Sequence, residues 1–217
     1  MSLYVIGDLH LSFTSNKPMD VFGKSWNNHV IKISDGFSRL NSDDVTVICG
    51  DISWGMGTDS CLDDFKFIDS LPGRKILLKG NHDYWWSTVA KTKRFFTENN
   101  INSIDILHNN SFVYEDISIC GTRGWAEGEL NQSVLPREIG RLRASLDSSE
   151  SNEIYLFLHY PPCESFCEII KEYNIRKCFY GHIHGDAIKY AFNGWKDGCE
   201  FKLVSADALA FNPLFIH

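Results

Sequence analysis

The sequence predicts an α/β (α+β) fold formed by a single domain that covers residues 1–217. Short apolar runs that fit buried strands alternate with longer stretches of helical character along the chain. Residues 111–121 alternate in polarity around Glu115-Asp116 and predict a β-hairpin, and two more strands are predicted near residue 200. The hairpin and the late strands favour two mixed sheets packed face to face with helices outside. Periodicity alone also fits one doubly wound sheet.

Five apolar runs are predicted to be buried strands. Each run is followed at once by a glycine or by a polar side chain that can bind a metal. In open α/β sheets, functional sites usually lie beyond the carboxyl ends of the strands. The five runs are residues 3–6, 45–49, 76–80, 154–158 and 177–181.

Helices are predicted between these strands. Residues 20–40 have helical character, although Gly23 and Gly36 weaken it. A helix starting at Thr58 or Asp59 is expected to end at Leu71, before Pro72-Gly73. Further helices are predicted from residue 81 or 83 to 99, at 136–146 and at 164–173, and strands at 187–195 and 201–205 flank a turn at 196–198.

The composition is that of an ordinary globular protein, with 43% apolar and 23% charged residues. No apolar run approaches the ~18 residues that a membrane span requires, so no membrane partner is expected. The first ten residues carry no basic region and already include Asp8, so we expect no cleaved signal peptide. Seven cysteines, an odd number without metal-pair spacing, fit free buried thiols and predict a cytoplasmic location.

Seven side chains beside the predicted strand ends can all act as metal ligands. Carboxylate and amide oxygens together with imidazole nitrogens suit two divalent ions held close together. Two pairs of these residues are spaced i, i+2, so each pair can point from one face of an extended segment. Five of the eight histidines fall within these segments. The seven candidate ligands are Asp8, His10, Asp51, Asn81, His159, His182 and His184.

In chain order, the motifs resemble the signature of the calcineurin-like metallophosphoesterases. They read Asp8-x-His10, Gly50-Asp51, Gly80-Asn81-His82-Asp83, a lone His159 and Gly181-His182-x-His184. The sequence is most similar to a bacterial subfamily of predicted phosphohydrolases. It differs from the protein phosphatase branch, because Ile52-Ser53-Trp54-Gly55 follows Asp51 where that branch has a further Asp-Arg-Gly. The resemblance implies a four-layer αββα sandwich of two mixed β-sheets flanked by helices.

The resemblance also implies which residues bind each ion and how the reaction proceeds. Asp51 bridges two divalent ions, which we expect to be Mn, Fe or Zn. A metal-bridging hydroxide is expected to attack phosphorus, while His82 stabilises charge or protonates the leaving group. Besides Asp51, one ion is expected to bind Asp8, His10 and His184, and the other Asn81, His159 and His182.

Two further residues are catalytic candidates beside His82. Asp83 is a candidate to orient His82, although sequence neighbours rarely face one another in regular structure. Arg123, flanked by Gly121 and Gly124, is a candidate phosphate clamp because its guanidinium group is planar and bidentate. The alternative for Arg123 is a salt bridge at the exit of the hairpin.

Aromatic residues beside the motifs are candidates for substrate binding. Tyr84 and Trp85 follow His82, and Trp54 follows Asp51 by three residues, with core packing as the alternative. A net charge of −7 and the lack of a basic stripe argue against extended nucleic acid. The expected substrate is therefore a small phosphomonoester, phosphodiester or nucleotide. The alternative functions are a non-catalytic metal-binding scaffold and a nuclease that acts on nucleic acid ends.

Overall fold

The computed structural model describes residues 1–15, 17–126 and 133–217, and the strands in these ranges form two sheets. The first sheet has the order β11-β1-β2-β3-β4, in which β1 to β4 are parallel and β11 is antiparallel to β1. Its strands are β1 (Leu3–Ile6), β2 (Val45–Cys49), β3 (Arg74–Leu78), β4 (Ile104–Ile106) and β11 (Leu214–Phe215).

The second sheet has the order β5-β6-β7-β8-β10-β9. Its four central strands are parallel, and an antiparallel strand closes each edge. Its strands are β5 (Ser111–Tyr114), β6 (Ile117–Thr122), β7 (Glu153–Leu158), β8 (Lys177–Tyr180), β9 (Gly194–Lys196) and β10 (Cys199–Leu203). Both sheets are mixed, as the sequence predicts.

Within the described ranges, five α-helices cover the outer faces of the sheets. The longest helix in the described ranges has 14 residues, so none is long and apolar enough to cross a bilayer. The helices are α1 (His29–Phe37), α2 (Leu62–Ser70), α3 (Val89–Glu98), α4 (Val134–Asp147) and α5 (Glu164–Glu172).

Three apolar clusters separate four layers. Strand residues alternate between clusters because successive side chains point to opposite faces. Val47 on β2 and Phe157 on β7 belong to the cluster between the sheets. Ile48 packs with α1 and α2, and Leu156 packs with α4 and α5. The four-layer sandwich of two mixed β-sheets flanked by helices is therefore confirmed.

The structure corrects several element predictions. The strand predicted at residues 187–195 is wrong over its first half, because Gly185–Tyr190 forms a 3-10 helix and only Gly194–Lys196 pairs with β10. The predicted turn is present at Asp197-Gly198, where both residues have positive φ. The helical region at residues 20–40 is divided at Gly23, whose φ of 130° no helix permits.

Candidate metal centre

The predicted ligands meet at the seam between the two sheets. Asp8, Asp51 and Asn81 follow the parallel strands β1, β2 and β3 of the first sheet. His159 and His182 follow the parallel strands β7 and β8 of the second sheet. Because parallel strands end at the same edge, the topology brings residues almost the whole chain apart into one site.

Two overlapping groups of ligand atoms form the centre of the site. In each group the ligand atoms lie within 4.8 Å of one another, and Asp8 belongs to both. The first group is Asp8, His10 and His184, and the second is Asp8, Asp51 and His159. Asp51 also reaches the first group, since its Oδ2 lies 3.7 Å from His10 Nε2 as well as 3.6 Å from His159 Nε2. This position suits a bridging ligand.

Two further donor side chains, those of Asn81 and His182, lie against His159. Asn81 Oδ1 lies 2.5 Å from His159 Nε2 and 3.0 Å from His182 Nδ1. The two imidazole nitrogens are 3.3 Å apart. When two ligands each lie about 2.0–2.2 Å from one ion, their donor atoms are separated by distances similar to those between these three atoms. The structure thus brings all seven predicted ligands together.

Hydrogen bonds fix the ring orientation of two histidine ligands. His159 Nδ1 lies 3.1 Å from the backbone carbonyl oxygen of Cys49, and a carbonyl only accepts, so Nδ1 carries the proton. Likewise His184 Nδ1 lies 2.8 Å from Oδ1 of Asp207. In both rings Nε2 is therefore the atom directed at the cluster, 3.6 Å from Asp51 Oδ2 in His159 and 3.2 Å from Asp8 Oδ1 in His184, and a bound ion would displace any proton there. This is the arrangement that metal-ligating histidines adopt in proteins.

The charges of the site also fit divalent cations. Burial raises the pKa of Asp51, and the Asp83 and Asp8 carboxylates raise it further. Burial opposes ionisation of Asp8, but the neighbouring His184, His159 and His10 rings outweigh burial and lower its pKa. Burial likewise disfavours His184 imidazolium, yet Asp8 and Asp207 raise its pKa to about 10. His10 Nδ1 is buried without a hydrogen-bond partner in the described ranges. The donor set and its need for positive charge fit two divalent ions.

The backbone at the ligands is held in an uncommon conformation. Asp8, His10, Asp51 and His182 have φ of 59°, 47°, 51° and 71°, in the left-handed region. Non-glycine residues there cost free energy and persist at functional sites when the surrounding structure enforces them. A Cβ at Gly80 would collide with the Asp51 carboxylate. Glycine is required there because the two strand-end loops pack against each other.

His82 lies beside the ligand cluster. Its backbone N–H donates to Asp51 Oδ1 at 2.8 Å, and its ring packs on Trp54 with centroids 4.5 Å apart. Burial lowers the pKa of His82 to about 4, with the His159 and His182 rings adding to the effect. The Tyr84 hydroxyl is 3.5 Å from His82 Nδ1, and the Tyr84 side chain is exposed.

The prediction that Asp83 orients His82 does not match the contacts of its carboxylate. Asp83 is buried, and it accepts hydrogen bonds from the backbone N–H groups of Ile52 at 2.8 Å and Gly80 at 2.7 Å. It also accepts one from the Trp85 indole at 2.9 Å. The side chain therefore ties the loop after β2 to the loop after β3.

Arg123 is paired within the protein. Its Nη2 donates to Glu138 Oε1 at 2.9 Å, and its guanidinium lies 4.7 Å from the Trp125 ring centroid. Glu138 is fully buried, so this pairing satisfies a carboxylate that has no access to water. The predicted phosphate clamp is therefore corrected to the alternative, a salt bridge.

The three aromatic candidates occupy different places. Trp85 packs in the core against Phe65, with only 2% of its surface exposed, so its prediction as a substrate-binding residue is wrong. Tyr84 lies at the surface beside His82, and Trp54 lines a cavity next to the site. Sequence reasoning missed Asp207 and Trp26, since neither lies in a recognisable motif.

Comparison with known proteins agrees with this geometry. The model of the calcineurin-like phosphoesterase family matches residues 1–186, which include all seven ligands and His82. No curated protein sequence matches the chain.

Similar solved structures include proteins from Aquifex aeolicus, Mycobacterium tuberculosis and Thermus thermophilus, and their low identities establish the fold alone. A protein of unknown function, AQ665 from Aquifex aeolicus, is 17% identical with a TM-score of 0.55, and the match covers 99% of this chain and 95% of that one. The phosphopantetheinyl hydrolase PptH from Mycobacterium tuberculosis is 16% identical with a TM-score of 0.58, and the match covers 94% of this chain and 88% of that one. The protein TT1561 of Thermus thermophilus is 10% identical with a TM-score of 0.58, and the match covers 99% of this chain and 97% of that one.

Proposed function

The chain belongs to the calcineurin-like phosphoesterase family, and from that premise we propose that it hydrolyses small phosphate esters with two divalent metal ions. The observation that carries the proposal is the convergence of seven donor side chains from both sheets, with His159 and His184 held in the tautomer that metal binding requires. When bound, two ions such as Mn, Fe or Zn would supply Lewis acidity and an activated water.

The residues of the site are proposed to have separate roles in metal binding and in the reaction of the substrate. Asp51 is proposed to bridge, with Asp8, His10 and His184 on one side and Asn81, His159 and His182 on the other. His82 is proposed to stabilise charge or to donate a proton at the leaving group, because it lies beside Asp51 without joining the cluster. Asp83 is proposed as a positioning residue, since its carboxylate connects the two ligand loops.

A surface cation favours anionic substrates at the entrance. Lys17 Nζ lies 3.8 Å from the Trp54 ring centroid, and its charge contributes to the lowered pKa of His82. The ammonium group is thus close enough to attract a phosphate ester although the chain carries a net charge of −7. Since the chain is acidic overall, a small ester or nucleotide is favoured over extended nucleic acid.

The proposal is tested by metal content together with hydrolysis. Protein stripped of metal and reloaded with Mn²⁺ or Zn²⁺ is expected to bind about two ions. The loaded protein is expected to hydrolyse p-nitrophenyl phosphate or bis-p-nitrophenyl phosphate. Elemental analysis measures the ions, and p-nitrophenolate absorbance measures the rate. Two bound ions without hydrolysis of any ester, together with tight binding to a protein partner, would favour the scaffold.

Two variants separate metal binding from chemistry. Asp51→Asn should cripple loading, because it removes charge from the bridging position. His82→Ala should keep both ions and lose about 10²–10⁴ in rate, the usual contribution of a general acid. His108→Ala is the matched control, since His108 is a half-buried histidine packed on Trp86. Equal loss of metal in His82→Ala and Asp51→Asn would show that the role of His82 is wrong.

A further inference from the structure

A cavity of about 340 Å³ opens directly beside the candidate metal centre. Met19, Phe22, Trp26 and Trp54 line one side, and the imidazole rings of His10 and His82 line the side nearest the ligands. A substrate phosphoryl group at the metal centre would therefore have this cavity as its neighbour. At ~30 Å³ for each water-sized group, the cavity has room for roughly ten non-hydrogen atoms.

The cavity walls are held in place by packing. Trp54 stacks on His10 with centroids 5.0 Å apart and planes inclined by 20°. Trp26 contacts the same ring edge-on at 5.7 Å. Met19, Trp26 and Trp54 are only 5%, 2% and 7% exposed, so their positions are fixed before any ligand enters. Such preorganised walls lose little side-chain freedom on binding.

The chemistry of the walls selects apolar groups. The Trp54 indole N–H is already directed at Met19 Sδ at 3.2 Å, so it is not available to a ligand. Neither Met19 nor Phe22 can form a strong hydrogen bond, and Phe22 is 62% exposed at the rim. The other polar groups of the lining, the rings of His10, His82 and His184 and the backbone of Gly185, belong to the candidate metal centre or adjoin it. A sugar or a nucleobase placed between Trp26 and Trp54 would therefore lose most of its hydrogen bonds to water without replacement.

We propose that this cavity receives the organic group of the substrate, and that the preferred substrates are phosphate esters of apolar alcohols. The inference rests on the proposed phosphoesterase function and adds a substrate class to it. The phosphoryl group would be held at the candidate metal centre, and the alkyl or aryl group lies between Trp26 and Trp54. Nucleotides are then poorer substrates than apolar esters of equal size.

A series of monoalkyl phosphates from methyl to octyl tests this assignment, because leaving-group acidity changes little along the series. The wild-type protein loaded with Mn²⁺ is expected to show kcat/KM rising about fourfold for each added methylene until the cavity is filled. Binding of methylphosphonate and hexylphosphonate, which are not hydrolysed, is measured by calorimetry and should show the same preference. AMP is included as the nucleotide probe.

Phe22→Ser is the test variant, with Phe215→Ser as its control. Phe22 lines the cavity, whereas Phe215 is an equally exposed phenylalanine on β11 that packs on Tyr4. Phe22→Ser should reduce the increment to less than about twofold per methylene, and Phe215→Ser should keep the wild-type increment. Retention of the full wild-type increment in Phe22→Ser would contradict the assignment of the rim.

The outcomes separate the two proposals. Hydrolysis of every alkyl phosphate at the same kcat/KM, or a preference for AMP, would overturn the apolar cavity and leave the phosphoesterase function standing. Failure to hydrolyse any ester, with phosphonate affinity still rising with chain length, would overturn the phosphoesterase function and leave the apolar binding site. Neither hydrolysis nor chain-length dependence would overturn both.

Discussion

Asp207→Asn is expected to weaken metal binding without altering any ligand. The Asp207 carboxylate is 1% exposed and accepts from His184 Nδ1 at 2.8 Å and from the Gly185 backbone N–H at 2.9 Å. An asparagine keeps the shape but loses the charge, and its amide group turns an N–H toward one of these two donors. His184 is then free to rotate or to change tautomer.

The magnitude follows from the bonds that are lost. One charge-assisted hydrogen bond contributes about 1.5–3 kcal/mol, and about 1.4 kcal/mol corresponds to a tenfold change in Kd. We therefore expect an affinity loss of about 10- to 100-fold, the range typical of removing a carboxylate behind a histidine ligand. The loss should be confined to one ion, because Asp207 supports His184, whereas Asn81, His159 and His182 lie against one another.

Competition calorimetry with a chelator measures both dissociation constants, and nitrogen NMR of the histidine rings reports the His184 tautomer. Asp105→Asn is the matched control, since Asp105 forms a surface pair with Arg74 at 2.7 Å and lies on β4. The reasoning is refuted if Asp207→Asn binds two ions as tightly as the wild-type protein, or if both ions are weakened equally.

Three further changes test how the site is supported. Gly80→Ala is expected to lower both the unfolding temperature and the metal affinity, because its Cβ collides with Asp51. Gly140→Ala, at a helix position with open space, should instead gain about 0.5–1 kcal/mol in unfolding free energy. Equal thermal denaturation curves for the two variants would contradict this. Asp83→Asn should lose about 2–3 kcal/mol in urea unfolding, because a buried carboxylate that accepts from four N–H groups becomes an amide. An unchanged midpoint would exclude the loop-joining role. Burial lowers the pKa of Lys75 to about 8, although its ammonium donates to the Leu71 and Gly73 carbonyls. The unfolded chain therefore binds more protons between pH 8 and about 10.5, and the unfolding free energy should rise with pH over that window. Lys75→Met should lack this rise in urea titrations, and identical pH slopes in the two proteins would contradict the assignment.

The sequence could predict which side chains come together in the candidate site because its physical signal is local. Each candidate ligand lies within four residues of the end of a strand, and parallel strands end at the same edge of a sheet, so the order of apolar runs and polar residues was sufficient. The same reasoning could not find Asp207, which lies 23 residues beyond His184 and outside any motif. It also could not separate Trp54 from Trp85, because both follow a ligand and only packing distinguishes a cavity wall from the core.

The errors in secondary structure have similar causes. β4 and β11 contain three and two residues, too few to show a periodic pattern. The helix predicted from residue 81 or 83 begins only at Val89, because Asp83 is engaged with backbone N–H groups of two loops. For this helix, a tertiary contact overrides the local preference.

The two sheets are formed almost entirely by successive parts of the chain, and this order has a consequence for folding. Except for β11, the first sheet is built from residues before 107, and the second from residues 111–203. An ion held jointly by Asp8 and His184, as proposed, would therefore act as a cross-link that closes a loop of most of the chain. Such closure restricts the unfolded ensemble as a long-range disulfide does, and its entropic effect grows only slowly with loop length. Metal loading is thus expected to join two successive halves of the polypeptide into one cooperative unit, with chelation separating their unfolding transitions.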